Sequence, residues 1–308
     1  MLNKFKLALI MGAVCFAQAC ANDTAETHSS EPQKTVATAA NAQTDYDAPA
    51  SAWRDVDPEN LILIDTAYGV IGVELYPEIA PLHTDRIKAL ARSKFYDNVP
   101  FHRVIDGFMN QTGDGSNGDG TGDSDLPDLQ AEFTFRRTSN MPVTLIGARQ
   151  NGQNAIDVGY YKAMPIASQP IVQASETSDG NVGAFGLHCK GVTSMARTND
   201  PNSANSQFFL MRAKAEHLDS QYTIWGNTVL GFEHLEKPTV GAVGQNSDFV
   251  PDQMNNVRVA ADIPENERPK VQVMKTSSPA FSNYLKTKKN ADGVYPDICD
   301  ITVPSRTL

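Results

Sequence analysis

Two stretches of the chain carry the polar side chains that could take part in chemistry. Residues 101–111 set Arg103 and Gln111 among apolar residues, and residues 194–209 combine an Asn/Ser-rich turn with Gln207. Neither stretch holds a nucleophile beside a general base, a metal-ligand spacing or a pair of carboxylates. The residue types therefore indicate an apolar pocket with one fixed cation and several hydrogen-bond donors.

Arg103 is the cation that such a pocket needs. Side chains alternate between the two faces of a strand, so Arg103 should project away from the face of its buried-looking neighbour. Phe108, Met109 and Phe209 would then surround it with apolar surface. A guanidinium in such surroundings is suited to recognise a carbonyl or a carboxylate. From the residues alone, an arginine on the outer surface of a barrel is the alternative.

The sequence motifs that would indicate a cofactor site or a metal site are incomplete in this chain. The glycines of residues 113–118 match GxGxxG, but residues 119–123 cannot start the helix that a dinucleotide fingerprint requires. The nearby aspartates miss the EF-hand register, which favours a turn region over a loose calcium site. No histidine pair has i,i+4 spacing. His102 follows Phe101 in a largely apolar strand candidate, which favours a hydrogen-bonded core histidine over a general base. We therefore expect no cofactor and no metal.

Composition and charge bound the class of protein. The 308 residues are 41% hydrophobic and 20% charged, which is enough for a sizeable core. With a formal net charge of −10, the chain lacks the basic patch that binding to nucleic acid or anionic lipid would require. The pattern predicts an acidic globular protein, and we expect it to be a monomer.

The first 19 residues are predicted to be an export signal. Lys4 and Lys6 precede an apolar run over residues 7–16 that is too short to span a bilayer. The small residues before Cys20 fit ordinary signal cleavage, and they also fit lipidation of Cys20 itself. In both cases the mature chain would be exported and periplasmic. In the second it would be anchored by lipid to the outer membrane or envelope, its only expected membrane contact.

A flexible tether is predicted over residues 20–52, which are rich in Ala, Thr, Ser, Asn and Gln. In a lipidated product only Cys189 and Cys299 remain as thiols. Two cysteines in an oxidising compartment are candidates for a disulfide.

Short strands dominate the rest of the chain. Alternating and apolar runs predict strands at residues 61–66 and 70–76, and Pro81 suits the start of a helix that ends near Ser93. Asp106 and Gly107 form a hairpin turn signal. The pattern indicates an all-β barrel or sandwich. Further predicted elements are strands at 131–135, 142–147, 164–175, 223–230, 257–261 and 270–275, and a short helix at 232–237.

The predicted organisation is one domain over residues 53–276. An insertion at about 123–185 interrupts it, with no helix and no obvious core of its own. Residues 277–308 follow as a C-terminal extension.

Four motifs, in this order, carry a resemblance to the cyclophilin-type peptidyl-prolyl cis-trans isomerases: FHRVIDGFMNQTGD, GDGTG, SMARTNDPNSANSQFF and LDSQYTIWGNTVLGFE. The resemblance covers roughly residues 61–122 and 185–240, and more loosely a strand after 255. It implies a mainly β fold, a closed eight-stranded antiparallel barrel capped by two helices, with a groove on one outer face. It also implies proline-containing polypeptides as clients.

The resemblance assigns a role to individual residues. It makes Arg103 the catalytic arginine. The positions that match the proline pocket are Phe108, Met109, Phe209 and Leu218. Those that match the polar and backbone-contacting groove positions are Gln111, Gly120, Ala196, Arg197, Thr198 and Gln207. His217 stands where the family often has Trp, and Tyr222 where it often has His. The first departure predicts weak binding of cyclosporin.

The expected activity is acceleration of X–Pro isomerisation while exported proteins fold. Arg103 would stabilise the twisted amide by donating to the proline nitrogen. The competing hypothesis is a proline-binding module or chaperone that uses the same pocket without catalysis.

Overall fold

The computed structural model describes residues 46–151, 154–245 and 247–308. The predicted signal peptide at 1–19, the lipidation candidate Cys20 and most of the predicted tether at 20–52 lie outside the described residues. The described part of the chain is mainly β-structure with two α-helices. None of its helices is long and apolar enough to cross a membrane.

Eighteen strands form three antiparallel sheets in the described part of the chain. In chain order they are β1 (Trp53–Asp55), β2 (Leu61–Thr66), β3 (Gly69–Leu75), β4 (Val99–Pro100), β5 (Arg103–Ile105), β6 (Met109–Thr112), β7 (Phe135–Arg137), β8 (Val143–Asn151), β9 (Asn154–Tyr161), β10 (Met164–Ser168), β11 (Val182–Gly186), β12 (Val192–Met195), β13 (Phe208–Met211), β14 (Ile224–Leu230), β15 (Gly241–Ala242), β16 (Gln253–Val259), β17 (Val271–Met274) and β18 (Ser305–Thr307).

The two α-helices are α1 (Pro81–Arg92) and α2 (Pro279–Thr287). Short 3-10 helices lie at Ala50–Ala52, Pro58–Asn60, Ile171–Glu176, Glu216–Leu218, Phe232–His234, Ala260–Asp262 and Ile298–Asp300. Helix α1 thus begins where Pro81 predicts it and ends close to Ser93, because a proline in the first turn gives up no hydrogen bond.

The large sheet holds ten strands in the order β15-β5-β6-β13-β12-β14-β3-β2-β16-β4. Its terminal strands do not pair with each other, so the ladder is open and differs from the closed eight-stranded barrel that the resemblance implies. One continuous segment, residues 99–105, supplies β4 at one end and β5 near the other. The sheet therefore curls back on itself, and the interruption between β4 and β5 raises the number of strands.

The core lies against this curled sheet. Apolar side chains of β2 and β3 face each other across the ladder, with Ile62 opposite Val73 and Ile64 opposite Ile71. All four are essentially buried. Cross-strand pairs of β-branched residues are a main source of sheet stability, which explains why the two alternating apolar runs fold together.

The insertion forms a five-stranded sheet in the order β7-β11-β10-β9-β8. Its buried side chains, such as Tyr160 and Ile166, belong to the same hydrophobic cluster as the large sheet. The predicted strand at 164–175 is only half right. Strand β10 ends at Ser168, and a 3-10 helix follows Pro170, which has no N–H to donate to a ladder.

The predicted strand at 131–135 is displaced. Strand β7 begins only at Phe135. The residues before it bond to side chains instead: Ala131 N donates to Asn202 Oδ1 at 2.9 Å, and Glu132 N donates to Thr223 Oγ1 at 3.0 Å. These side chains replace a neighbouring strand as acceptors.

The C-terminal extension returns to the rest of the fold. Strand β18 pairs with β17, which also pairs with β1. Tyr160 Oη donates to the carbonyl oxygens of Ile298 and Ile301 at 3.0 and 2.7 Å. A disulfide joins Cys189, just before β12, to Cys299, with a Cα–Cα distance of 4.8 Å. Hydrogen bonds and a covalent bond thus tie the extension to three other parts of the chain.

Candidate active site

The β5–β6 hairpin positions Arg103. Its turn is at Asp106 and Gly107, as the sequence predicts, and Gly107 adopts a φ of 61° that few other residues tolerate. The pairing sets Arg103 directly opposite Gln111. Arg103 Nη1 donates to Gln111 Oε1 at 3.1 Å. This is the only side-chain hydrogen bond of Arg103 within the described residues, and the half-buried guanidinium keeps further N–H groups for a ligand.

Gln111 and Gln207 continue the contact made by Arg103. Gln111 Nε2 donates to Gln207 Oε1 at 3.1 Å. Gln207 Nε2 in turn donates to the carbonyl oxygens of Gly120 and Gly122 at 3.0 and 2.9 Å. These three side chains, Arg103, Gln111 and Gln207, are called the relay below. Through the two glutamine side chains, the relay links the guanidinium to main-chain carbonyls of the glycine-rich loop, so Arg103 is held in place before any ligand arrives.

Asp114 organises the glycine-rich loop. It is 1% exposed and accepts backbone hydrogen bonds from Asn117, Gly120 and Gly122 at 2.9 to 3.0 Å. Burial raises the pKa of this carboxyl, but the backbone donors outweigh burial and lower the pKa to about 2. Asp114 is therefore occupied as a structural acceptor. No cluster of metal-ligating side chains occurs in the part of the chain that the structure describes.

His102 is a core residue, as predicted, but the expected hydrogen bonds are absent. It is 3% exposed, and neither ring nitrogen has a partner among the described residues. Burial lowers the pKa of its imidazole. A Cβ atom at Gly120 would lie 2.9 Å from His102 Cδ2, so the two residues pack closely. His102 therefore acts as neutral packing beneath the loop.

The apolar residues predicted for the pocket lie in the turn before β6 (Phe108), on β6 (Met109), on β13 (Phe209) and in the 3-10 helix at Glu216–Leu218 (Leu218). Met109, Phe209 and Leu218 are buried, and Phe108 is half-buried. His217 is exposed and stacks on Phe108, with ring centroids 5.8 Å apart. The exposed imidazole covers part of one aromatic face.

Sequence reasoning missed His188, which supports Phe209. The two rings stack with centroids 6.2 Å apart. His188 Nδ1 lies 3.0 Å from Asp219 Oδ1, and His188 Nε2 lies 2.9 Å from Ser194 Oγ. Burial lowers the pKa of His188, and the hydrogen bond to Asp219 opposes that shift. Ser194 has no exposed surface, so this acid–histidine–serine arrangement cannot reach a substrate. Only the folded structure reveals it, because no motif links these residues.

The segment at residues 196–198 lies beside the relay. Ala196 N donates to the carbonyl oxygen of Gln207 at 2.9 Å. Thr198 is exposed, and its N–H donates to Ser203 Oγ at 2.9 Å within the Asn/Ser-rich turn. Tyr222 is half-buried and meets Phe209 edge to face at 5.7 Å. All residues predicted for the groove thus lie on neighbouring elements or directly bonded loops.

Known proteins are similar to this chain in sequence and in fold. The family model for "Cyclophilin type peptidyl-prolyl cis-trans isomerase/CLD" matches residues 61–259. A Brucella suis protein named "Probable peptidyl-prolyl cis-trans isomerase" is 32% identical over 217 residues, which are 67% of this chain and 85% of the relative. The Caenorhabditis elegans "Peptidyl-prolyl cis-trans isomerase 10" is 27% identical over 202 residues, covering 65% and 96% respectively.

A solved structure matches a longer part of the chain. The crystal structure of cyclophilin AquaCyp293 from Hirschia baltica superposes with a TM-score of 0.72 at 35% identity. The match covers 83% of this chain and 93% of that one. This share exceeds the span of the family model, so the structural similarity extends beyond residues 61–259.

Proposed function

The chain belongs to the cyclophilin-type peptidyl-prolyl cis-trans isomerases, and on that premise we propose that Arg103 is the catalytic group of this isomerase. The observation that carries the proposal is the relay, which holds a half-buried guanidinium beside β6 with N–H groups uncommitted. The clients are proline-containing segments of polypeptides.

The chemistry requires no covalent step. Rotation about a peptide bond faces a barrier of about 18–20 kcal/mol, and X–Pro exchange takes tens to hundreds of seconds. In the twisted state the amide loses resonance, and the proline nitrogen becomes a hydrogen-bond acceptor. Arg103 donates to that nitrogen, whereas the planar amide offers no such acceptor. The interaction therefore favours the transition state over both ground states.

The relay makes this donation effective. A free arginine side chain samples many rotamers, and ordering it costs up to about 2 kcal/mol. Gln111 and Gln207 supply that order in the folded protein. Phe108, Met109 and Phe209 provide the apolar surface that grips the proline ring, and the 196–198 segment holds the flanking peptide.

The curled ten-stranded sheet serves this function as a barrel that the chain itself closes through residues 99–105, although its hydrogen-bonded ladder is open. Residues 99–105 support this part of the proposal, because they join β4, at one end of the ladder, to β5, the second strand from the other end, in one continuous segment. Closure would place Arg103 on a rigid outer face.

The clients are exported proteins, and the enzyme works in the periplasm. The support is the basic and apolar pattern of residues 1–19 followed by Cys20. Intact-mass analysis of the envelope fraction tests this part, with a lipidated chain that begins at Cys20 as the expected product. A mature chain without acyl groups, beginning at Cys20 or Ala21, would contradict the lipid anchor.

A protease-free isomerisation assay on a proline peptide tests the central proposal. Wild type should accelerate exchange between the cis and trans peptide, and EDTA should leave the rate unchanged. Binding of the peptide without any acceleration would favour the alternative, a non-catalytic proline-binding module.

A further inference from the structure

Arg197 is a cation without an acidic partner. It forms no ion pair in the part of the chain that the structure describes, although the protein carries a net charge of −10. Its Nε and Nη2 donate to the carbonyl oxygen of Gln221 at 3.1 and 3.0 Å, and Nη1 donates to that of Thr198 at 2.8 Å. Three of the five N–H groups are therefore used, which leaves two for an external acceptor.

Two aromatic rings hold the Arg197 guanidinium. Its Cζ lies 4.5 Å from the ring centroid of Tyr222 and 5.4 Å from that of Phe133. Both distances are in the range of cation–π attraction. Phe133 comes from the insertion, whereas Tyr222 lies just before β14. The cation is thus fixed in position by two parts of the chain far apart in sequence.

The stem of the insertion, residues 129–133, places Phe133 there. Leu129 N donates to the carbonyl oxygen of Ala204 at 2.8 Å. Farther along the stem, the N–H of Ala131 donates to the side chain of Asn202, and the N–H of Glu132 donates to that of Thr223. The carboxylate of Glu132 also accepts the N–H groups of Leu82 and His83 at the start of α1. Glu132, the residue before Phe133, is therefore bonded both through its backbone N–H and through its carboxylate, which holds this part of the stem in place.

Arg197 lies at the edge of the proposed groove. Its preceding residue, Ala196, donates to the backbone of Gln207, whose side chain belongs to the relay. Its stacking partner Tyr222 contacts Phe209 of the apolar pocket. Two independent contact paths thus connect this cation to the site where the proline would bind.

We infer that Arg197, held between Phe133 and Tyr222, recognises a carboxylate side chain of the client close to its proline. A fixed guanidinium with two unused N–H groups suits a carboxylate, because such charge-assisted hydrogen bonds are stronger than neutral ones. Arg197 is then a specificity-determining residue, and Phe133 is a positioning residue that the insertion contributes. The inference deepens the proposed function and rests on it.

The experiment uses acetylated and amidated proline peptides, so that the only carboxylate is one side chain. Glu and Gln are compared at each of the four positions before proline in the protease-free assay. Wild type should show a kcat/KM ratio of Glu over Gln of at least about threefold at one position, through KM, in line with a partly exposed ion pair. The ratio should fall as salt rises.

Variants separate recognition from folding. Arg197→Gln should bring the ratio to about one, and Phe133→Ala should lower it, while Phe133→Tyr should keep it. Val172→Ala, at an exposed position of the insertion, is the matched control and should retain the wild-type ratio. A Glu-to-Gln ratio near one in wild type would overturn this inference without affecting the proposed function. A ratio that stays at the wild-type value in both Arg197→Gln and Phe133→Ala would do the same. Absence of isomerisation with every peptide would overturn the proposed function as well.

Discussion

Arg103 and Gln111 face each other across the β5–β6 hairpin, and Arg103 Nη1 donates to Gln111 Oε1 at 3.1 Å. The partner of this arginine is a neutral amide and not a carboxylate. A carboxylate would neutralise the guanidinium and occupy two of its N–H groups, whereas the amide orients it and takes one. The charge therefore stays available for a developing acceptor.

Arg103→Ala should lower kcat/KM by at least about a hundredfold, or roughly 2.7 kcal/mol of transition-state stabilisation. Peptide binding in the ground state should fall much less, because the apolar pocket remains. The protease-free assay and a peptide titration measure the two effects. A folded Arg103→Ala variant with full activity would refute the mechanism, although family membership would stand.

Gln111→Leu should lower kcat/KM about fivefold to tenfold, or ~1–1.4 kcal/mol, because Arg103 loses its orienting acceptor. The matched control is Gln272→Leu. Gln272 also accepts from an arginine, Arg306, but in the three-stranded sheet away from β5 and β6. The control should keep wild-type activity. Equal losses in the two variants would show that the effect is general destabilisation.

Asp114 should make stability depend on pH at the acidic end. Its pKa is about 2 in the folded protein against an ordinary 3.8, so the unfolded chain binds the proton more readily. This contribution, about 2 kcal/mol, is complete above about pH 4 and is lost as pH falls towards 2.

Urea unfolding of wild type and Asp114→Asn at pH 7 and pH 3 measures the difference. Asp114→Asn should be less stable at pH 7 and should lose less on acidification. Asp125→Asn, at an exposed position nearby, should follow wild type. Parallel losses in wild type and Asp114→Asn would show that Asp114 is not responsible.

The Cys189–Cys299 bond closes a loop with a sequence separation of 110 residues. In the chain-entropy model, closing a loop of this length stabilises the fold by about 4–5 kcal/mol, often less in practice. Cys299→Ser should therefore lower the urea midpoint under non-reducing conditions and have little further effect under reduction. Thiol titration of the unreduced, denatured chain from residue 21 onward, which lacks Cys15 and Cys20, should find none. Two reactive thiols per chain would contradict the bond.

Local pattern and motif order were sufficient for much of this protein. The strands at 61–66 and 70–76, the helix start at Pro81 and the turn at Asp106 and Gly107 follow from period, proline geometry and turn chemistry, which act over a few residues. The four motifs also identified the family, whereas the roles that they assign to the groove residues stay predictions. Cyclosporin binding stays a prediction, because it depends on how His217, which stacks on Phe108, meets the drug.

Only the tertiary structure decided which distant side chains meet. Gln111 and Gln207 are 96 residues apart, and His188 and Asp219 are 31 apart, yet each pair is in hydrogen-bond contact. Neither ring nitrogen of His102 finds a hydrogen-bond partner among the described residues, which no local pattern records. Phe133 reaches Arg197 because side-chain acceptors divert the stem from a strand. Periodicity encodes which face of an element is buried, whereas the order of strands and the path of the insertion determine what that face touches.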